Sequence, residues 1–239
     1  MSVTPAAAPF NSTTGLQAVF WDMDGTIVDT EPCWIASEKE LVAEFGGTWT
    51  DEDAKAMVGQ ALPVGAGLLQ QAGVDLPVRA IIDRMTAQVA EKVRRRVPWR
   101  PGARELLADL RARSIPCAMV TMSEPGLADV VAAALPAGTF EFIVTGDQVR
   151  SGKPDPEPYL AAMDRMAELV PGLDPQRCIG IEDSLPGVRS ARASGLVTLA
   201  VPHFVPLPPD LADHTWDTLT GRSAEDLAGL AAAETDAIR

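Results

Sequence analysis

A chain of 239 residues can build one well-packed core, or a core with a smaller insert, and its 46% hydrophobic and 22% charged content is that of an ordinary soluble globular protein. A formal net charge of −13 argues against nucleic acid as a partner, because a phosphate backbone asks for a surplus of Lys and Arg. Two histidines, His203 and His214, leave little room for Ser-His-Asp chemistry or multi-histidine metal sites, and the scattered Cys33, Cys117 and Cys178 suggest neither a disulfide framework nor zinc. Any enzyme here runs on carboxylates and lysine.

Residues 1–16 begin MSVTPAAAPFNSTTG, with no early cation and no continuous apolar stretch. A signal peptide is therefore not expected, and the Pro, Ala, Ser and Thr content suggests a flexible tail on a cytoplasmic protein. No apolar run reaches membrane-spanning length, so no membrane partner is expected. The segment 17–30, QAVFWDMDGTIVDT, then carries the strongest signal in the chain. An apolar strand over 18–21 ends in Asp22, Asp24 and Gly25-Thr26. Residues two apart on an extended strand face the same way, so two carboxylates would crowd one small space. Like charges that close resist joint ionisation unless a cation sits between them or one stays protonated. The pattern suits a metal-assisted nucleophile with a proton donor beside it; a strand entering an Asp-Gly turn is the plainer alternative.

From 31 to 98 the pattern is helical throughout, bounded by Glu31-Pro32 and by Val97-Pro98-Trp99-Arg100-Pro101. It reads as a small helical domain inserted into the loop after the first strand; a single domain with an unusually long crossover is the other option. Inside it, Val64-Gly65-Ala66-Gly67 follows no strand and is too short for a dinucleotide loop. Arg94, Arg95 and Arg96 read as a solvated helix face, or as a means of drawing an anion toward the cleft. Beyond residue 99, apolar runs at 115–120, 140–145, 178–181 and 196–201 alternate with helical patterns at 103–113, 126–135, 157–169 and 185–194. A last strand-like piece and a helix are expected within 214–230. Segments 17–30 and 99–239 thus predict an α/β fold: a parallel sheet with helices on both faces and right-handed crossovers.

Ligands of open parallel sheets sit beyond the carboxyl ends of the strands. Four predicted strands end there in polar residues: Asp22 and Asp24; Thr121-Met122-Ser123; TGDQ followed by Ser151-Gly152-Lys153-Pro154; and Glu182-Asp183-Ser184. In this order, DMDGT, Thr121, GKP and IEDS resemble the four motifs of the haloacid dehalogenase-like superfamily of phosphohydrolases. The helical insert after the first motif is similar to the capped subgroup that includes β-phosphoglucomutase and sugar phosphatases. The resemblance runs over roughly residues 17–225 and implies a Rossmann-like core with an inserted helical cap, Mg²⁺ as cofactor and an aspartyl-phosphate intermediate.

The chemistry of the residues agrees. Asp22 comes first off the strand and is the nucleophile candidate, a carboxylate splitting one difficult step into two. Asp24 would protonate the departing oxygen and then deprotonate water; by resemblance its backbone carbonyl also binds the metal. Asp22 and Asp183 complete an oxygen-only site that suits Mg²⁺, with Glu182 either a further ligand or a residue behind the ligands. Flanked by Gly152 and Pro154, Lys153 is expected to bridge phosphate and Asp22. Thr121 and the backbone N–H near Met122 are expected to hold phosphate oxygens. Met57-Val58-Gly59-Gln60 resembles the substrate-reading cap loop, or is simply a helix ending at Gly59. The expectation is a monomeric Mg²⁺-dependent phosphatase of small phosphorylated metabolites, sugar phosphates foremost. The rivals are a phosphomutase on the same chassis and a non-catalytic phosphometabolite-binding protein; intact Asp22, Asp24, Lys153 and Asp183 argue against the latter. A dehalogenase is disfavoured, since by resemblance that branch lacks the second acid. The β-phosphoglucomutase branch carries a histidine twelve residues past the nucleophile; here that position is Trp34, which cannot accept a proton.

Overall fold

The computed structural model describes residues 15–57 and 61–237. The expected tail therefore lies outside the described residues up to position 14, and so do Val58, Gly59 and Gln60 of the expected substrate-reading loop. Packing begins at once: Leu16 is fully buried, and the Gly15 carbonyl accepts a bond from Arg177 Nε at 2.7 Å.

The first strand, β1 (Ala18–Trp21), is buried along its whole length. Val19 and Trp21 face one hydrophobic cluster, Ala18 and Phe20 another. A strand covered on both faces has no polar side, which is why its sequence is an unbroken apolar run. Four more strands run parallel to it: β2 (Cys117–Val120), β3 (Phe142–Val144), β4 (Cys178–Glu182) and β5 (Val197–Ala200). A two-residue β6 (His214–Thr215) completes a sheet of order β3-β2-β1-β4-β5-β6, all parallel. β2 begins two residues later than the apolar run at 115–120, because Pro116 has no N–H to give the ladder. Val19 stands level with Cys117 on one side and Ile179 on the other. The order reverses at β1, so the crevice beyond its carboxyl end opens between β2 and β4.

Helices α5 (Ala103–Ala112), α6 (Pro125–Ala133) and α9 (Ala224–Ala237) cover one face through Leu106, Leu110, Leu127, Val131 and Leu227. Helices α7 (Glu157–Leu169) and α8 (Leu185–Ala193) cover the other through Tyr159, Ala162, Met166 and Ala191. The α/β core expected from the alternating pattern is thus present.

Between β1 and α5 the insert contains four helices: α1 (Glu31–Glu44), α2 (Asp51–Met57), α3 (Leu62–Gln71) and α4 (Val78–Arg95). They enclose their own cluster, including Leu41, Val42, Leu69, Ile81 and Met85. The two chain crossings between insert and core lie side by side. Asp29 N–H donates to the Pro98 carbonyl at 2.7 Å and Arg100 N–H to the Ile27 carbonyl at 2.9 Å. One helix belongs to both regions: α4 buries Ile81, Ile82 and Met85 in the insert, then Val89, Ala90 and Val93 in the core cluster. Among the described residues no helix is long and apolar enough to cross a membrane.

Candidate active site

β1 delivers Asp22 to the crevice, and its N–H donates to the Ile181 carbonyl at 3.0 Å, extending the pairing with β4 by one residue. The chain then turns sharply at Gly25, whose φ is +85°. A Cβ at this position would lie 1.9 Å from Asp183 Oδ2, so only glycine lets the loop pass so close to that carboxylate. Asp22 is 6% exposed. Its Oδ1 accepts from Lys153 Nζ at 2.7 Å, while its buried Oδ2 has no hydrogen-bond partner.

Lys153 is held from three directions. Its Nζ donates to Asp22 and to the Val120 carbonyl at 2.8 Å, and it pairs with Glu182 Oε1 at 2.6 Å. Gly152 lets it in: a Cβ there would strike Met122 Sδ at 2.8 Å, and that sulfur accepts the Lys153 backbone N–H at 3.3 Å. Glu182 is 1% exposed and also accepts the Tyr159 hydroxyl from α7 at 2.6 Å. Burial opposes the charge on Lys153, yet Asp22 and Glu182 outweigh it and hold the ammonium above the usual lysine pKa. For Asp22 the balance runs the other way. Burial above all, then the neighbouring Glu182, raises its pKa despite the lysine. Asp183 is raised for the same reason, by burial first and then by Asp22 and Glu182.

Asp24 faces a different set of groups. Its Oδ1 accepts the Thr30 hydroxyl, and its Oδ2 accepts Ser123 Oγ at 2.7 Å and Thr121 Oγ1 at 3.2 Å. Thr30 occupies the position before α1 where threonine would cap the helix, but it makes no cap bond. Its hydroxyl serves Asp24 instead. Thr121, expected to reach toward phosphate, turns to Asp24 and accepts the Ser123 N–H at 3.0 Å. Met122 lines the cavity described below. The two acids two residues apart do meet in one site, though not as an unbroken strand would present them, since regular pairing ends at Trp21.

Asp22, Glu182 and Asp183 each offer a carboxylate oxygen, all within 4.8 Å of one another. Two buried acids and a half-buried one so close, with the pKa values of Asp22 and Asp183 raised and one Asp22 oxygen orphaned, form a donor set that a hard divalent cation fits. Of the expected metal ligands Asp22, Asp24 and Asp183, the carboxylates of the first and last belong to this cluster; that of Asp24 points into the hydroxyl cage.

A cavity of about 170 Å³ rises from these residues into the insert, lined by Asp22, Asp24, Lys153 and Asp183 below and by Glu31, Trp34 and Glu38 of α1 above. At ~10–15 Å³ per water it holds on the order of ten, more than a phosphate needs. His203 and Phe204 close one side, with His203 Nε2 3.0 Å from Asp29 Oδ1. Sequence reasoning missed Thr30, Ser123 and Tyr159 as parts of the site. Thr30 and Ser123 stood a few residues after the first two motifs as hydroxyls at the right place, whereas nothing local marks Tyr159, 23 residues before the glutamate it holds.

Residues 16–195 match the family of haloacid dehalogenase-like hydrolases. The chain is 28% identical over 186 residues to the phosphorylated carbohydrates phosphatase of Thermotoga maritima, covering 76% of this chain and 82% of that protein. It is 27% identical over 231 residues to hexitol phosphatase B of Escherichia coli, covering 89% and 96%. A solved structure of CbbY from Rhodobacter sphaeroides, in complex with xylulose 1,5-bisphosphate, has a TM-score of 0.77 at 23% identity and covers 89% of this chain and 99% of that one. That likeness speaks to the fold. The chain belongs to the haloacid dehalogenase-like hydrolases. The expectation of a phosphatase enzyme of this family stands.

Proposed function

We propose that this hydrolase releases phosphate from small phosphorylated carbohydrates through a phosphorylated Asp22, with Mg²⁺ held by Asp22, Asp183 and the backbone carbonyl of Asp24. The observation that supports the reading is the state of Asp22: one oxygen pinned by Lys153, the other buried and unpartnered, in a carboxylate that clusters with Asp183. That free oxygen attacks phosphorus. The bond to the ester oxygen breaks, and the departing alkoxide takes a proton from Asp24. Asp24, now ionised and still held by its hydroxyls, removes a proton from the water that cleaves the phosphorylated Asp22. When bound, Mg²⁺ supplies charge neutralisation between phosphate and carboxylates, which this slow hydrolysis demands. Glu182 keeps Lys153 aimed at Asp22, and its engagement with Lys153 and Tyr159 favours a role behind the metal rather than on it. The insert acts as a cap that shuts water out until Asp22 has been phosphorylated.

Trp34 stands in the cavity where an indole can pack against a sugar ring but cannot take up a proton. This favours hydrolysis over the long-lived intermediate that a mutase needs. The test is phosphate release from a panel of sugar and polyol phosphates with Mg²⁺ and with excess EDTA. Release that depends on Mg²⁺, with no isomerised phosphosugar accumulating from β-glucose 1-phosphate, is the expected result. Full turnover in EDTA overturns the metal assignment, and glucose 6-phosphate forming faster than free phosphate overturns the choice of hydrolysis.

A further inference from the structure

The half of the cavity above the reacting carboxylates has an unusual balance of groups. Its wall is apolar, made of Trp34, Leu62, Ile81 and Met85, and its polar side chains are the carboxyl groups of Glu31 and Glu38. Among the described residues the carboxyl of Glu31 takes part in no hydrogen bond or ion pair, and Glu38 Oε2 accepts only the Trp49 indole N–H at 2.9 Å. Among the described residues no arginine lines the cavity, and the one lysine that does is Lys153. That ammonium lies at the floor, already engaged by Asp22, the Val120 carbonyl and Glu182. His203, the remaining basic side chain on the wall, lies against Asp29.

From this we infer, resting on the phosphatase reading above, that the substrate is a monophosphate whose leaving group carries hydroxyl or ammonium donors and an apolar face, and no second anion. A buried second anion needs cationic donors to offset its desolvation, and the described residues of the upper cavity include no lysine or arginine. A second phosphate would find no cation there, only an apolar wall and two carboxyl groups, and whichever carboxyl is ionised would repel it. Hydroxyls and ammonium groups find acceptors in the same place. Glu31 and Glu38 are thus specificity-determining, remote from the phosphorus.

The experiment compares two esters that differ only in the second phosphate, fructose 1-phosphate and fructose 1,6-bisphosphate, with acetyl phosphate as a substrate too small to reach the cap. The expected kcat/KM for the bisphosphate is lower by about 100-fold or more, and Glu31→Arg narrows the gap by at least tenfold. Equal kcat/KM for the two esters overturns the inference, as does hydrolysis of acetyl phosphate with neither sugar ester cleaved. If no ester at all releases phosphate, the phosphatase reading has failed. The inference is then decided by calorimetry on the wild-type protein with Mg²⁺: tighter binding of the monophosphate sustains it, and equal binding removes it.

Discussion

Asp22 and Asp24 are two residues apart, yet their surroundings pull them toward opposite uses. Asp22 is met by an ammonium and two acids, Asp24 by three hydroxyls. On the proposed mechanism Asp22→Asn keeps the shape but removes the attacking charge, so turnover should fall at least ~1,000-fold with the fold intact. Activity within tenfold of wild type would show that another group attacks phosphorus. Asp24→Asn should cost about 100- to 10,000-fold, the usual range for a lost proton donor. Its loss should be smaller on an ester with an acidic leaving group such as p-nitrophenol, and an equal loss on both esters would refute the proton-transfer role. Glu31 gives a third prediction. Burial, then Glu38, Asp24 and Asp29, push its pKa up to about 8 from 4.5. Between those values the folded chain keeps a proton that the unfolded chain has lost, so this group makes the fold less stable as pH rises. Glu31→Gln removes that penalty. Its Tm advantage over wild type should be larger at pH 8.5 than at pH 5, and an advantage independent of pH would contradict the burial argument.

At the scale of elements, the sheet strands and the helices packed on them were readable because each is apolar for a single reason. β1 is covered on both faces, and helices α5 and α7 keep one stripe buried. α4 could not be parsed so simply. Its apolar positions continue from Ile81 to Val93 on one stripe, but the first half packs in the insert and the second in the core. Periodicity reports that a face is buried, not against what. This matters for the cap, since the linker around Pro98 is not where its contact with the core begins. The proposed cap motion would have to loosen the joined crossings at Asp29 and Arg100 or break the docking of α4, where Arg79 pairs with Glu124 at 2.5 Å. Exchange of the Asp29 and Arg100 amides should slow by about tenfold or more when Mg²⁺ and beryllofluoride are added. Unchanged exchange at both, with binding shown independently, would mean the insert is fixed. Arg79→Ala should leave global stability within about 1 kcal/mol, as an exposed pair implies.

For the molecule as a whole, the site is a product of topology. Asp22, Lys153 and Asp183 were nameable from the sequence because each follows an apolar run at the carboxyl end of a parallel strand, or sits in a motif beside one. Trp34 was picked out only by its spacing from Asp22 in the family resemblance; Tyr159, Glu31 and Glu38 were not nameable as site residues, because helices bring them there and helix faces carry no mark of their destination. Gathering buried acids in this way burdens the apo fold. Asp22 and Asp183 both have pKa values raised above the ordinary carboxylate value, Asp22 to about 7. From about pH 4 up to 7 the native state therefore retains protons that the unfolded chain releases, and metal-free stability declines across that window. A bound divalent cation replaces those protons and binds only the folded chain, so it stabilises most where the acids most need a counter-charge. The Tm gain from 5 mM Mg²⁺ over EDTA should be small at pH 5 and several degrees at pH 8, and Asp183→Asn should remove most of it. Ca²⁺, which accepts looser geometry, should raise Tm at pH 8 as well yet support little turnover. A Mg²⁺-induced Tm shift of the same size at both pH values would show that the acidic cluster is not where the metal acts.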